Sequence, residues 1–335
     1  MAATPQTIHI HNHPARGSWW TRLLLVLLLI SVILNGTQLA SYRDYQRGAS
    51  PPYESFDSGT MSSPDKIALL EVEGVIMPPY TDRILKEIER IAEDDQVRGV
   101  VLAIDSPGGL VADSHRIYKQ LVKLRDKKPM IVSMGRIAAS GGYYIAMGAG
   151  PESKILAEEV TWTGSIGVII PRYDLSELAA KVGLQSDALK TGPLKDSLDP
   201  FRPLSDDERK VWDTIIEESL AEFIHVIDDG RATLTEAEIR KVATGQVFTA
   251  SQAKSLKLVD DIGDQDDAIE LLKQQLNLTE ARIVRYERPQ SLAESLLGIQ
   301  ALEVPQSLDP LGRLLEAGVP RAMYLFGWQT GLSSP

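Results

Sequence analysis

From Lys66 onward, short continuous apolar runs alternate with segments whose apolar residues recur every three or four positions. Residues 67–76 (Ile-Ala-Leu-Leu-Glu-Val-Glu-Gly-Val-Ile) predict a strand that bends at Gly74. Residues 82–92 set Ile84, Leu85, Ile88 and Ile91 on one helical face. Residues 100–104 are apolar throughout, as in a strand buried on both sides. A helix is predicted over 112–124, with Ile117, Leu121 and Leu124 on one face, and a strand over 130–134. Shorter strands follow at 155–157 and 166–170, then a long helix over 206–227. Helices at 236–243, 251–255 and 266–275 and a last strand at 282–286 complete the pattern. Such alternation predicts a layered α/β fold with mainly parallel strand pairing.

The N-terminal region reads differently. Residues 23–42 carry no charge and begin with a strongly apolar run from Leu23 to Leu34. As a helix, these 20 residues would span about 30 Å, one bilayer core. Trp19, Trp20 and Tyr42 stand where interfacial aromatics belong. A cleaved signal peptide is the competing reading, but a cut after Ala40 would put Gln38 where a small residue is required. An uncleaved anchor is therefore expected. Its orientation stays open, because Arg16 and Arg22 on one side balance Arg43 and Arg47 on the other. The expected organisation is a tail (1–18), a transmembrane signal anchor (19–42), a flexible Ser/Pro/Gly-rich linker (43–65), a folded domain (66–288) and a C-terminal extension (289–335) that packs on a neighbour or a surface.

Composition narrows the chemistry. The 335 residues are 43% hydrophobic and carry a formal charge of −11 without a long basic cluster, which argues against nucleic acid as a partner. The absence of cysteine removes disulfides, thiolate metal sites and a cysteine nucleophile together. His9, His11 and His13 alternate in the tail, where an unstructured polar leader is the simpler reading than a weak metal site. No cofactor or metal is implied, and the chain lacks a dinucleotide fingerprint at its glycine pairs.

Two stretches can carry chemistry. Gly135-Arg-Ile-Ala-Ala-Ser-Gly-Gly-Tyr-Tyr144 places Ser140 between a strand end and a helix start, beside free backbone N–H groups. An acyl-transfer nucleophile needs that setting; a simple helix cap by the Ser140 hydroxyl is the alternative. Asp105-Ser-Pro-Gly-Gly-Leu-Val111 joins a strand to a helix, and Gly108 and Gly109 can present backbone donors to a carbonyl. A tight turn at a helix start is the alternative there. A serine also needs a base. His115 and His225 lie inside helical patterns away from any turn. A lysine base must be neutral, so its pKa must fall from about 10.4 towards 7–8. Lys190 and Lys195 both lie in Leu189-Lys-Thr-Gly-Pro-Leu-Lys-Asp-Ser197, and the residues alone leave the choice even.

Taken together, Ala139-Ser-Gly-Gly-Tyr-Tyr-Ile145, Asp105-Ser-Pro-Gly-Gly109, Thr163-Gly-Ser-Ile-Gly-Val168 and Thr191-Gly-Pro-Leu-Lys-Asp196 resemble motifs of the bacterial signal peptide peptidases, also called protease IV. Gly245–Ala250 and Leu258–Gly263 match as well, so the resemblance runs from about Lys66 to Gly263. It implies a ClpP/crotonase-like layered β-α fold and a Ser-Lys dyad, with Ser140 as nucleophile, Lys195 as general base and Ser165 orienting that lysine. Gly141 and one of Gly108 and Gly109 would form the oxyanion hole. It further implies peptide substrates, including released signal peptides, a domain outside the inner membrane, and a homo-oligomeric ring in which serine and lysine come from different copies. Two other readings compete: a crotonase-like acyl-CoA enzyme, which would explain the glycine pair but not the serine and lysine, and a catalytically silent peptide-binding scaffold.

Overall fold

In the computed structural model, which describes residues 19–49, 52–287 and 322–325, the chain divides into an N-terminal unit up to Ser50 and a second unit from Pro51. The first is a single helix, α1 (Trp19–Ala49). It contains the whole uncharged stretch 23–42, but its strongly apolar part, 23–34, covers only about 18 Å of the about 30 Å core. Among the described residues no helix is long and apolar enough to cross a membrane. The tail with His9, His11 and His13 lies outside the described residues.

The second unit follows the predicted alternation. Its first half comprises β1 (Tyr53–Gly59), β2 (Lys66–Ile76), α2 (Tyr80–Glu93), β3 (Val97–Leu110), α3 (Val111–Arg125), β4 (Met130–Ala139), α4 (Gly141–Ala146), β5 (Ile155–Ala157) and β6 (Trp162–Gly164). There follow α5 (Ser176–Val182), α6 (Asp206–Gly230), α7 (Glu236–Val242), β7 (Val247–Thr249), α8 (Ala250–Ser255), β8 (Asp261–Ile262), α9 (Gln265–Gln275), β9 (Arg282–Glu287) and β10 (Met323–Leu325). Among the described residues the strands form one ten-stranded sheet in the order β1-β9-β2-β3-β4-β5-β8, with β6, β7 and β10 attached beside this path. Pairing is parallel from β9 through β8, and β1 closes one edge antiparallel to β9.

Period-two alternation sends the β2 side chains to two cores. Ala68, Leu70 and Val72 join Ile84, Ile88 and Ile91 of α2 and Ile117, Leu121 and Leu124 of α3 on one face. Ile67 and Leu69 join Ala268, Ile269 and Leu272 of α9 on the other. Each fully buried aliphatic residue contributes about 1.5–3 kcal/mol. The later helices start where a side chain can satisfy their free N–H groups. Ser205 with Glu208, Thr235 with Glu238, Thr249 with Gln252 and Asp264 with Asp267 form reciprocal caps at α6, α7, α8 and α9, each contributing about 1 kcal/mol.

The structure departs from the sequence expectations in four places. Helix α1 continues seven residues past Tyr42, and β1 occupies 53–59, so regular structure covers much of the expected linker. Strand β1 is polar because it is an edge; it is fixed by pairing with β9 and by Glu54, whose carboxylate accepts from Lys66 Nζ at 2.6 Å. Strand β3 does not stop at Ile104 but runs on through Gly108 and Gly109 to Leu110, so the glycine pair is strand rather than turn. The expected strand 166–170 is replaced by β6 two residues before it, because Gly164 (φ 81°) and Ser165 (φ 50°) break the extended run. Finally, the described part of the C-terminal extension enters the sheet as β10, antiparallel to the end of β3; residues 289–321 and 326–335 lie outside the described residues.

Two register breaks matter for the site. Between Glu73 and Val75 on β2, and between Ile104 and Ser106 on β3, the ladder shifts. The Ser106 Oγ–H spans this bend and donates to Gly74 O at 2.6 Å. Strand β4 changes partner at the same level: Val132–Met134 pair with β5, and Ile137–Ala139 pair with β6. Such irregularities bend strands and re-aim side chains. Beyond them the end of β3 pairs with β10, and the end of β4 pairs with β6, which in turn pairs with β7.

Candidate active site

Strand β4 passes into α4 through one residue, Ser140, at φ 56° and ψ −114°. A non-glycine residue at positive φ costs about 1–3 kcal/mol and persists only when its surroundings hold it. Two backbone bonds do so: Ser140 N–H donates to Gly164 O at 2.7 Å, and Ser140 O accepts from Tyr144 N–H at 2.8 Å. The residue is 1% exposed. Its side chain makes no capping bond to α4, so the helix-cap reading of this hydroxyl does not hold.

The neighbours of Ser140 are those the sequence singled out, with one exception. Ala139 pairs with Gly164 across β4 and β6, which sets Ser140 beside Ser165 at the ends of parallel strands. Ser165 is buried, also at positive φ, and its N–H donates to Gln246 O at 2.8 Å. The end of β3 packs against the start of α4 so closely that neither tolerates a side chain. A Cβ at Gly141 would stand 2.6 Å from Ser114 Oγ and 3.1 Å from Gly109 N. A Cβ at Gly108, which has φ 99°, would stand 2.6 Å from Gly141 N. Gly108, Gly109 and Gly141 thus converge beside Ser140. The exception is Lys195. It is exposed, on an irregular segment before α6, and its Nζ bonds to neither Ser140 nor Ser165 of its own chain. That segment is anchored: Arg202 reaches Asp196 O and Oδ1, both at 2.8 Å, and Trp212 Nε1–H donates to Ser197 Oγ at 3.1 Å. Lys190 is bound to Asp196 at 2.7 Å. Lys190 and Arg202 together hold the Asp196 carboxyl below the usual range.

Sequence reasoning missed what lies across the glycines. Strand β10 runs between β3 and Ile169. Tyr324 pairs with Gly109, and Met323 exchanges two backbone hydrogen bonds with Ile169, both 3.0 Å. The same Cβ position at Gly108 that meets Gly141 N lies 2.0 Å from Tyr324 O, so this carbonyl oxygen and the Gly141 N–H are neighbours. The Tyr324 ring stacks on Tyr144 at 5.0 Å and meets Phe223 at 4.7 Å. Burial pushes both the Tyr144 and the Tyr324 phenols well above their usual range, so both stay neutral. A three-residue strand beyond a long irregular stretch gives no periodic signal, and Phe223 reads only as one more apolar position on α6. The histidines are occupied elsewhere: His115 Nδ1 is 2.7 Å from Tyr144 Oη, and His225 faces Asp229 on the exposed side of α6. Among the described residues no group of three or more His, Asp or Glu is placed to hold a metal.

A buried serine held at positive φ on a strand–helix junction, flanked by converging glycine backbone on a bent, mainly parallel sheet, defines the site of a serine peptidase of the ClpP-like class. Comparison with known proteins agrees. Residues 122–279 match the model of peptidase family S49, and residues 68–162 match the Clp protease model. A protein of Enterococcus faecium carrying the name signal peptide peptidase SppA is 32% identical over 295 residues, covering 82% of this chain and 84% of that one. The chloroplastic serine protease SPPA of Arabidopsis thaliana is 31% identical over 261 residues, 72% of this chain but 37% of that protein. Protease 4 of Haemophilus influenzae is 33% identical over 222 residues, 64% of this chain and 35% of that protein. The chain belongs to the S49 family of SppA-like serine peptidases.

Proposed function

We propose that the chain is a membrane-anchored endopeptidase that hydrolyses released signal peptides and unfolded apolar segments with a Ser140–Lys195 dyad. The observation that carries this reading is β10: an interior segment of main chain lies extended along the glycine strand with its Tyr324 carbonyl beside Gly141 N–H. In the proposed reaction Ser140 Oγ attacks a carbonyl carbon held in that place. Lys195 Nζ takes the hydroxyl proton and returns it to the leaving amine, and water then hydrolyses the ester. Gly141 and Gly109 donate to the developing oxyanion, and Ser165 orients the lysine. Two findings favour Lys195 over Lys190: Lys190 is tied to Asp196, whereas Lys195 is free to meet another group.

Because Lys195 is exposed and does not reach its own Ser140, we assign it to the Ser140 of an adjacent copy in a closed ring. The same stretch of chain exposes Leu178, Val182, Leu184, Leu194 and Phe201, with Leu189 fully exposed, a density of apolar surface expected of an interface. A fluorophosphonate probe tests the nucleophile. Labelling confined to Ser140, together with turnover of an extended apolar peptide, is the expected result. Acyl-CoA binding with no labelling would identify the crotonase-like alternative instead.

Anchoring is assigned to α1, which carries 23–42 as one uninterrupted helix, and the domain to the far side of the inner membrane. The chain has no cysteine, so Met61→Cys, at a position 64% exposed, provides a single thiol. An impermeant maleimide should label it in intact spheroplasts. Labelling only after lysis would place the domain in the cytoplasm.

A further inference from the structure

We propose that α1 pairs in the membrane with the α1 of a second copy of this chain, along a polar stripe of Ser31, Asn35 and Gln38. The inference rests on the anchor reading above and adds the surface by which two anchors meet. Ser31, Asn35 and Gln38 are spaced by four and three residues within one uninterrupted helix. At 3.6 residues per turn they fall within about 60° of one another, on one narrow face. Leu24 and Leu27 continue that face towards the N-terminus. Ser31 and Asn35 are exposed on the helix, and Leu24 and Leu27 are 63% and 52% exposed.

The depth of the stripe is what demands a partner. The midpoint of the uncharged stretch 23–42 falls between residues 32 and 33, so an α1 that spans the bilayer holds Asn35 about 4 Å from the centre of the hydrocarbon. A serine hydroxyl at that depth can be satisfied by a carbonyl of its own helix. A carboxamide cannot, because it carries two N–H donors and an acceptor oxygen. Asn35 Nδ2–H donates to Ser31 O at 2.7 Å and to Ser31 Oγ at 3.3 Å. Both bonds are made by the nitrogen, and neither occupies the Oδ1 acceptor. Hydrocarbon offers that oxygen no donor. The stripe is self-complementary and uncharged, so the same face of a second α1 supplies both donor and acceptor without repulsion. A lipid tail, or the apolar run of a signal peptide, supplies neither. Among the described residues no helix is long and apolar enough to cross a membrane; pairing takes the amides that weaken α1 as a span out of contact with lipid.

The test uses the full-length chain in its membrane. The sequence has no cysteine, so single cysteines are placed one at a time at Leu24, Val26, Leu27 and Leu29, which leaves the stripe intact. Oxidation with copper phenanthroline then reports contact between copies. The expected result is disulfide-linked dimer for Leu24→Cys and Leu27→Cys, and little for Val26→Cys and Leu29→Cys, which stand on the opposite side of the helix. Adding Asn35→Leu to the Leu27→Cys chain should slow cross-linking about 3-fold or more, the factor that one hydrogen bond between helices in a bilayer supplies. Adding Asn35→Gln instead should keep most of the rate. Because Asn35→Leu makes α1 more apolar, a loss cannot come from weaker anchoring. Equal cross-linking at all four positions, none at any, or a rate indifferent to Asn35→Leu would overturn the pairing while a chain that resists alkaline carbonate extraction keeps the anchor reading. A chain that carbonate strips from the membrane would remove the anchor reading, and the pairing with it.

Discussion

Ser140→Ala and Lys195→Ala chains are each expected to be inactive alone, and to recover activity when denatured and refolded together. Neither half of a serine–base pair works without the other, and losses on the order of 10⁴-fold or more follow removal of a nucleophile. Ser140 is buried in a backbone held by main-chain bonds and Lys195 is exposed, so neither change removes a contact on which the fold depends. In a ring built from equal amounts of the two variants, about one interface in four sets an intact serine against an intact lysine, and about a quarter of the wild-type rate should return. Mixed rings, verified by two tags, that stay inactive would show that each chain uses its own lysine. Rapid turnover by Lys195→Ala alone, with Lys190→Ala dead, would move the base to Lys190.

Gly108→Ala should abolish activity even though it adds one methyl group. At φ 99° an L residue is strained before any contact is considered, and the new Cβ would stand 2.0 Å from Tyr324 O and 2.6 Å from Gly141 N. One of these has to move. Displacing Gly141 N takes a donor away from the proposed oxyanion hole, a loss on the order of 10²–10³ in kcat. Gly135→Ala is the control. It lies on the same run towards Ser140, but a Cβ there meets nothing closer than 3.7 Å, so its activity and melting temperature should match the wild type. Equal behaviour of the two variants would mean that the approach of β3 to α4 is not what shapes the site.

Most of the frame was legible from periodicity. Strands β2 to β5 and helices α2, α3, α6 and α9 are long or strongly apolar, and their burial follows their pattern. The candidate site was legible where it is local. Ser140 and Gly141 lie on one short stretch, and Gly108 and Gly109 on another, and the chemistry of small residues beside a hydroxyl marks both. What escaped was set by pairing between distant parts of the chain. Strand β1 is too polar to read as a strand, because its stability comes from β9 and from Lys66 rather than from an apolar face. The extension of β3 through Gly108 and Gly109 depends on β2 and β10 supplying partners on either side. Tyr324, Phe223 and Tyr144 are separated widely in sequence, and nothing local to any one of them announces that their rings meet.

On the peptidase reading proposed above, strand β10, paired along the end of β3, sets a threshold for every other molecule that enters the groove. A segment of the same chain meets its own groove at an effective concentration on the order of millimolar. A free peptide that matched β10 contact for contact would have to reach that concentration to occupy half of the sites. Peptides that are dilute in bulk but gathered at a lipid surface next to the enzyme compete on better terms than the same peptides in solution. With α1 as the anchor proposed above, the groove would favour cargo delivered at that surface, through occupancy alone, without a moving lid or a second ligand.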